Sequence, residues 1–327
     1  MSAAPGGAAT DCAGLRVGII GARGIGRHHA NWWRLAGAEV VAFAGTSAAS
    51  VAEAAAALQQ LAGCAGRGYT DVGRMLAAER LDWVDVCSPP ELHYGHVQAA
   101  LSAGCRVLCE KPLLHDAHKS SAQLLAAADD LCALAAGGLL ALCSQYFVAA
   151  QTCLRLLHAA RGAGPVSVLD GELASPLKGR EPDPVTTWAD LGPHLLAAAQ
   201  ALAPEGAMDV ASLRAEFRES RVQCEFAVER PAAPPLRCRL AVHHTAGQPA
   251  HIRRLTLDGT SFDLQGERDA AGVYGARYVF PGGSHLEEDP MRILIRQVAA
   301  GVPPVAGAAV RRNLEWLLRI RDQAARP

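Results

Sequence analysis

The sequence predicts an α/β protein: an N-terminal doubly wound parallel sheet, then a C-terminal α/β domain on a largely antiparallel open sheet. Three observations carry that expectation. Residues 15–113 alternate short, continuously apolar runs with helical stretches, as in a parallel sheet covered on both faces. Further on, strict alternation takes over. Val222, Cys224, Phe226 and Val228 share one face, and Leu236, Cys238, Leu240 and Val242 repeat the pattern, which marks an antiparallel sheet with one apolar side. The chain has 327 residues, 50% apolar and 19% charged, enough for two domains with full cores.

Taken in order, residues 1–13 read as a flexible tail. Its start, "MSAAPGGAATDC", has neither the basic region nor the apolar core of a secretory signal. Residues 14–130 form the expected first domain, the doubly wound one. Strands are expected at Leu15–Ile20, Glu39–Ala44, Leu81–Cys87 and Arg106–Cys109, with helices after the first strand, over 48–61 and over 91–103. Residues 131–327 form the expected substrate and oligomerisation domain. Leu139–Ser144 reads as one more buried strand and 148–161 as a helix. Pro193–Leu202 reads as a helix with Pro in its first turn, where a missing N–H does no harm. "RRLTLDGTSFDL" is a hairpin signal turning at Asp258-Gly259. Met291–Ala300 and Arg311–Ala325 read as closing helices.

Charge and composition narrow the function. The formal net charge is −1 and no basic block occurs, which argues against nucleic acid or an anionic membrane as partner. The longest apolar window, Leu131–Cys143, is interrupted by Gly-Gly and is too short to cross a bilayer. Ten cysteines are scattered without C-x-x-C or metal-type spacing. They read as reduced, buried small apolar residues in a cytoplasmic protein, with no metal site.

The first strand runs into "GARGIGRHH", residues 21–29. A dinucleotide fingerprint needs glycine at positions one, three and six after such a strand. Gly21 and Gly26 fit the first and last, and position three is Arg23 with Gly24 beside it. The helix N-terminus still offers N–H groups and a positive dipole end to a pyrophosphate. Arg23 either pushes the phosphates outward or binds one. Gly21, Arg23, Gly24, Ile25 and Gly26 are therefore expected to contact the cofactor. After the second strand, Gly45, Thr46 and Ser47 stand where NAD enzymes usually carry an acid for the ribose hydroxyls. No acid repels a 2′-phosphate there, so NADP(H) is preferred and NAD(H) is possible.

Three of the 31 basic residues are lysines, and one, Lys111, lies in "RVLCEKPLLHD". Lysine is a compact ammonium that can release its proton, which arginine cannot do. Three segments, "VGIIGARGIGRHHA", "SPPELHYGHVQAALSAGCRVLCEKPL" and "DLGPH", resemble the glucose–fructose oxidoreductase, inositol dehydrogenase and MocA (Gfo/Idh/MocA) family over about residues 15–203. The resemblance implies an NAD(P)-dependent oxidoreductase with a Rossmann domain and a substrate domain whose open sheet serves as a homo-oligomer interface, as a dimer or tetramer. It implies that Lys111, Asp190 and His194 are catalytic, that Pro112 is the family's cis-linked or turn proline, and that Glu110 is a buried partner. It places Ser88, Pro89, Glu110 and Lys111 beside the cofactor. His93 is either a nicotinamide or substrate contact or a polar residue at a helix start. Two departures mark the substrate side. "DPVTTWAD" replaces a glycine run, so Trp188 is expected to narrow the pocket, and "SQYF" puts Tyr146 where the family has arginine. Tyr146, Trp188 and His194 form the expected substrate contacts. Lys178 and Arg180 either meet an acidic substrate or lie in a solvated loop.

The chemistry expected is hydride transfer between a nicotinamide and a small alcohol or ketone, such as a sugar derivative, or a cyclic imine. His194, read as starting a helix, is expected to stay neutral at the positive dipole end and take the hydroxyl proton. Lys111 stabilises the developing alkoxide. The alternatives are a dinucleotide-binding sensor or scaffold without turnover, and a redox-neutral enzyme with tightly bound NAD.

Overall fold

The computed structural model describes residues 12–135, 139–177, 179, 181–268 and 272–325; residues 1–11 of the expected tail, together with Lys178 and Arg180, lie outside them. The chain divides into two compact units. One comprises the described part of Met1–Glu110 with Asp130–Leu142 and Met291–Pro303; the other comprises Lys111–Asp129, Cys143–Pro290 and the described part of Pro304–Pro327.

In the first unit β1 (Arg16–Ile20), β2 (Glu39–Ala44), β3 (Arg67–Tyr69), β4 (Trp83–Val86), β5 (Arg106–Cys109) and β6 (Leu140–Leu142) form a parallel sheet. Its order, β3-β2-β1-β4-β5-β6, is that of a Rossmann fold. The continuous apolar runs explain it: Val17, Ile19, Trp83, Val84, Val107 and Leu108 are fully buried, so both faces need cover. Helices α1 (Gly26–Leu35), α2 (Ala48–Ala62), α3 (Val72–Ala78) and α4 (His93–Ser102) follow β1 to β4, with a 3-10 turn at Pro90–Leu92 before α4. Helix α2 starts with a reciprocal capping box, Ser47 with Ser50, and ends at Gly63 with φ 59°. Helix α5 (Ser121–Leu134) follows β5.

The second unit is built on β7 (Val168–Pro176), β8 (Ala207–Arg218), β9 (Arg221–Arg230), β10 (Ala233–Thr245), β11 (Ile252–Leu257), β12 (Thr260–Arg268), β13 (Tyr274–Phe280) and β14 (Gly283–Glu288). Their order is β14-β13-β12-β11-β7-β10-β9-β8. Strands β7 and β10 pair in parallel, and the other pairs are antiparallel. The hairpin turns where expected: Asp258 and Gly259 both have positive φ, 44° and 83°, the two-residue turn that matches strand twist. The Asp258 carboxylate accepts from the Ser167 and Val168 amides at 2.9 and 2.8 Å, which pins the start of β7.

The alternating apolar face, Val222 to Val242, is buried. It packs against α7 (Pro184–Leu202) and α9 (Ala308–Ala324), where the Phe226 and Trp316 rings meet edge-on at 6.1 Å. The opposite face carries Asp170, Glu172, Arg214, Glu216, Arg221, Glu225, Arg239 and Arg254 around a groove of about 520 Å³, so it is charged. Helices α6 (Gln145–Arg161) and α8 (Pro290–Ala299) complete the set named here.

Helix α7 also differs from the sequence reading. It starts at Pro184, not Pro193, because the Asp183 carboxylate accepts from the Val185 and Thr186 amides at 3.2 and 2.8 Å. A capped aspartate with proline behind it is a stronger start signal than proline alone. Pro193 therefore sits inside the helix, where it removes one backbone hydrogen bond. Burial of Trp188, Leu191, Leu195 and Leu196 on the same helix offsets that loss.

Candidate active site

The first unit holds a cavity of about 540 Å³ at the carboxyl ends of β1, β2 and β4, the edge where doubly wound sheets take ligands. Of the residues expected there, Gly21, Arg23, Gly24, Gly45, Thr46, Ser88 and Pro89 line it; Ile25, Gly26, Ser47, His93 and Glu110 do not. Gly21 has φ +90°, and a Cβ there would lie 2.7 Å from the Cys87 carbonyl oxygen. A Cβ on Gly26 would lie 2.5 Å from the Gly21 oxygen, so this glycine closes helix against strand. Ile25 precedes α1 with its side chain exposed. Ser47 is spent as the cap of α2. Arg23 reaches Glu53 at 3.2 Å on the exposed rim.

Of the two readings of His93, the structure places it as the polar residue at a helix start. Its ring is fully buried at the start of α4, with Nε2 2.8 Å from the Ser88 carbonyl oxygen. The Ser88 hydroxyl lies 2.9 Å from His96 Nδ1, and burial, then the His93 charge, lowers the His96 pKa. Two imidazoles thus hold the Ser88 turn from behind. Glu110 is buried as well, with Oε1 3.1 Å from His29 Nε2.

The second unit gathers the acid–base groups. Lys111 Nζ donates to the Asp190 carboxylate at 2.9 Å and to the Asp190 carbonyl oxygen at 2.8 Å. The other Asp190 oxygen lies 3.0 Å from His244 Nε2, and His244 Nδ1 lies 3.1 Å from the Thr187 hydroxyl. Thr187 in turn donates to the Asp183 carbonyl oxygen at 2.8 Å. Burial works against ionising Asp190, but the hydrogen bond from His244, the charge and hydrogen bond of Lys111, and the His194 charge hold the carboxyl far below the usual carboxylate range. His194, one helical turn after Asp190, is buried and faces Tyr146 with ring centroids 5.1 Å apart. Burial pushes the Tyr146 phenol up to about 12, with the Arg253 charge acting in the opposite sense. At neutral pH it remains a hydroxyl donor. An ammonium, an ionised carboxylate, imidazoles and a protonated phenol are the equipment for moving a proton on and off a substrate oxygen.

The description of the family model that fits residues 15–136 is "Oxidoreductase family, NAD-binding Rossmann fold". Over those residues the chain matches the Gfo/Idh/MocA oxidoreductase family. Inositol 2-dehydrogenase of Corynebacterium glutamicum is 35% identical over 108 residues, 32% of this chain and 31% of that protein. D-glucoside 3-dehydrogenase of Escherichia coli is 52% identical over 44 residues, 14% of this chain and 12% of that protein. These matches thus span less than a third of either relative's length. Over the whole fold, an inositol dehydrogenase homologue from Azotobacter vinelandii, solved with NADH and myo-inositol, has a TM-score of 0.70 at 16% identity, covering 96% of each chain. UDP-N-acetylglucosamine 3-dehydrogenase from Acidithiobacillus ferrooxidans has 0.70 at 21%, covering 95% of this chain and 98% of that one.

Against the Gfo/Idh/MocA pattern, the structure corrects two side chains and adds two. Trp188 does not narrow a pocket: it is buried in the helix packing, donates to the Leu317 carbonyl oxygen at 3.0 Å and meets Phe217 edge-on. His194 is not at a helix start, so no dipole end keeps it neutral. His244 and His29 went unread in sequence. His244 sits at an inward position of β10 and looks like one more core residue by alternation. The Lys111–Pro112 bond is cis.

Proposed function

We propose that this chain is a nicotinamide-dependent dehydrogenase of a secondary alcohol or ketone, with a sugar or cyclic polyol derivative as substrate and NADP(H) preferred over NAD(H). The observation that carries it is the Lys111–Asp190–His244 chain with His194 and Tyr146 alongside, in a protein whose Rossmann unit keeps the first and last of the three fingerprint glycines. The residues fit that cofactor: Gly21 turns at positive φ and Gly26 packs helix against strand, where a side chain would clash with backbone, and Gly21, Gly24, Gly45 and Ser88 line the cavity beside them. When bound, the nicotinamide accepts or returns the hydride. Lys111 donates to the reacting oxygen and stabilises alkoxide charge. Asp190 aims the ammonium and stays ionised. His194 takes the hydroxyl proton in oxidation and returns it in reduction. The Tyr146 phenol donates to a neighbouring hydroxyl.

The cofactor preference rests on Gly45-Thr46-Ser47 lacking an acid, and on Arg23. Its exposed pair with Glu53 is of a kind worth little, so the guanidinium is open to exchange onto a phosphate. None of the ten cysteines is in a disulfide, which supports a reducing, cytoplasmic setting. The test is a panel of myo-inositol, D-glucosides and D-apiose with NAD⁺ and NADP⁺, followed at the reduced-nicotinamide band, together with titration of both cofactors against tryptophan fluorescence. Turnover lost in Lys111→Ala, and tighter NADP(H), are expected. Cofactor binding without any turnover would favour a sensor, and tighter NAD(H) would overturn the preference.

A further inference from the structure

At the carboxyl edge of the first unit's sheet lies a buried cluster that the proposed chemistry does not use. His29 on α1 is fully buried between two carboxylates. Its Nδ1 is 2.9 Å from Asp85 Oδ2, and its Nε2 is 3.1 Å from Glu110 Oε1. Asp85, on β4, also accepts from Trp33 Nε1 at 2.8 Å, and from the Cys87 thiol at 3.3 Å. Burial, then the Asp85 charge, pushes the Cys87 thiol well up, so it stays a donor. Both Asp85 oxygens are thus met by donors.

Proton counting then constrains the ring. A neutral imidazole carries one N–H and one lone pair. With an ionised carboxylate at each nitrogen, that lone pair would face an anion at hydrogen-bond distance, deep in a low dielectric; only a proton on Glu110 would relieve it otherwise. Breaking a buried pair in this way is costly. The arrangement is satisfied when both nitrogens carry protons, each donated to a carboxylate. His29, Asp85 and Cys87 also have the spacing of a metal cluster, but hydrogen bonds within the group already use the ring nitrogens and the Asp85 oxygens.

The three anchors share a consequence. His29 is one turn beyond Gly26, on the helix that follows the glycine loop. Asp85 lies three residues before Ser88, which lines the cofactor cavity. Glu110 is joined by its peptide bond to Lys111, and its amide donates to the Val86 carbonyl oxygen at 2.8 Å. We propose that His29 is a positioning residue, a doubly protonated ring whose Asp85 arm sets the Ser88 turn and whose Glu110 arm sets the lead-in to Lys111. This rests on the dehydrogenase reading only for its effect on turnover.

Two isosteres separate the arms. Asparagine places an amide nitrogen near Nδ1 and keeps the Asp85 arm; glutamine places one near Nε2 and keeps the Glu110 arm. In His29→Asn, NADPH affinity is expected to stay within about two-fold while kcat falls at least tenfold with KM little changed. In His29→Gln the pattern should cross: NADPH affinity falls at least tenfold while kcat at saturation holds within a few-fold. A merely structural role would lower both alike, and two variants with the same profile would overturn the assignment of arms. Histidine labelled with ¹⁵N decides the protonation state in the wild-type holoprotein, whatever the variants do. Two N–H nitrogens on the ring whose signals vanish in His29→Gln are expected. One unprotonated ring nitrogen, or a stoichiometric transition metal in the purified protein, would overturn the proposal. If no substrate on the panel turns over, the dehydrogenase reading fails by itself, while the NADPH titrations and the nitrogen spectrum still decide the role of His29.

Discussion

Lys111 makes two bonds to one residue, at 2.8 and 2.9 Å, and its side chain is only 14% exposed. A point charge fits there, whereas a planar fork needs more room and different acceptors. Lys111→Arg is therefore expected to be nearly as damaging as Lys111→Ala, each costing about 10²–10³ in kcat, as for loss of an oxyanion donor. Single-turnover hydride transfer within a few-fold of wild type in Lys111→Arg would show that the lysine is there by chance. Asp190 gives the pH dependence. Its carboxyl is depressed in the folded state despite burial, so it adds stability above the unfolded value of about 3.9. That stability is lost as pH falls through the lower folded value. The advantage of wild type over Asp190→Asn in urea denaturation should be level from neutral pH to about 5 and shrink below about 4; an advantage that grows on acidification would contradict the assignment. Lys111, Asp190 and His194 were legible as residue types in register. His244 was not, because β10 places it by alternation among apolar neighbours, and only the fold shows that its ring meets Asp190.

At the scale of elements, the glycine loop makes a sharp comparison. A Cβ on Gly26 would press on the Gly21 backbone at 2.5 Å, whereas one on Gly24 would meet nothing within 4 Å. Gly26→Ala should cost about 1–3 kcal/mol by overpacking and weaken NADPH binding with it. Gly24→Ala should stay within about 0.5 kcal/mol. Guanidinium unfolding and a fluorescence titration on both variants check this, and equal behaviour would show that the turn is looser than drawn. The strands β1, β2, β4 and β5 were readable because central parallel strands are continuous apolar runs. Strand β3 was not: it is three residues, Arg67–Tyr69, with one buried side chain. In β7, polar Asp170 and Glu172 share one face, and Gly171 interrupts the apolar face between Leu169 and Leu173, so the apolar signal is diluted. Helix α7 was read from the wrong proline. Pro184 and Pro193 both have helix-start chemistry, and the sequence reading gave no weight to the Asp183 carboxylate that decides between them.

At the scale of the molecule, the two-part architecture was legible from the change of hydrophobic period. What one face of the second sheet presents to its surroundings was not. Alternation identifies the buried side of a strand and leaves the other side to be read residue by residue. That side is ionic: Arg239 holds Asp170 at 2.8 Å, and Arg254 holds Asp263 at 2.8 Å and Glu172 at 3.6 Å, with Arg221 and Glu225 alongside. A homo-oligomer through this sheet remains the proposal, but its chemistry changes. Around this charged groove, a second copy would be held by polar and charged contacts across the faces. Such contacts weaken as the screening length falls from about 10 Å at 0.1 M salt to about 3 Å at 1 M. Light scattering at micromolar protein should therefore give a dimer or tetramer at low salt and a smaller species near 1 M salt. Arg221→Glu should dissociate it further than Arg221→Ala, because reversal adds repulsion where truncation only removes attraction. An assembly indifferent to salt would point to another, apolar interface, and a monomer at low salt would end the proposal.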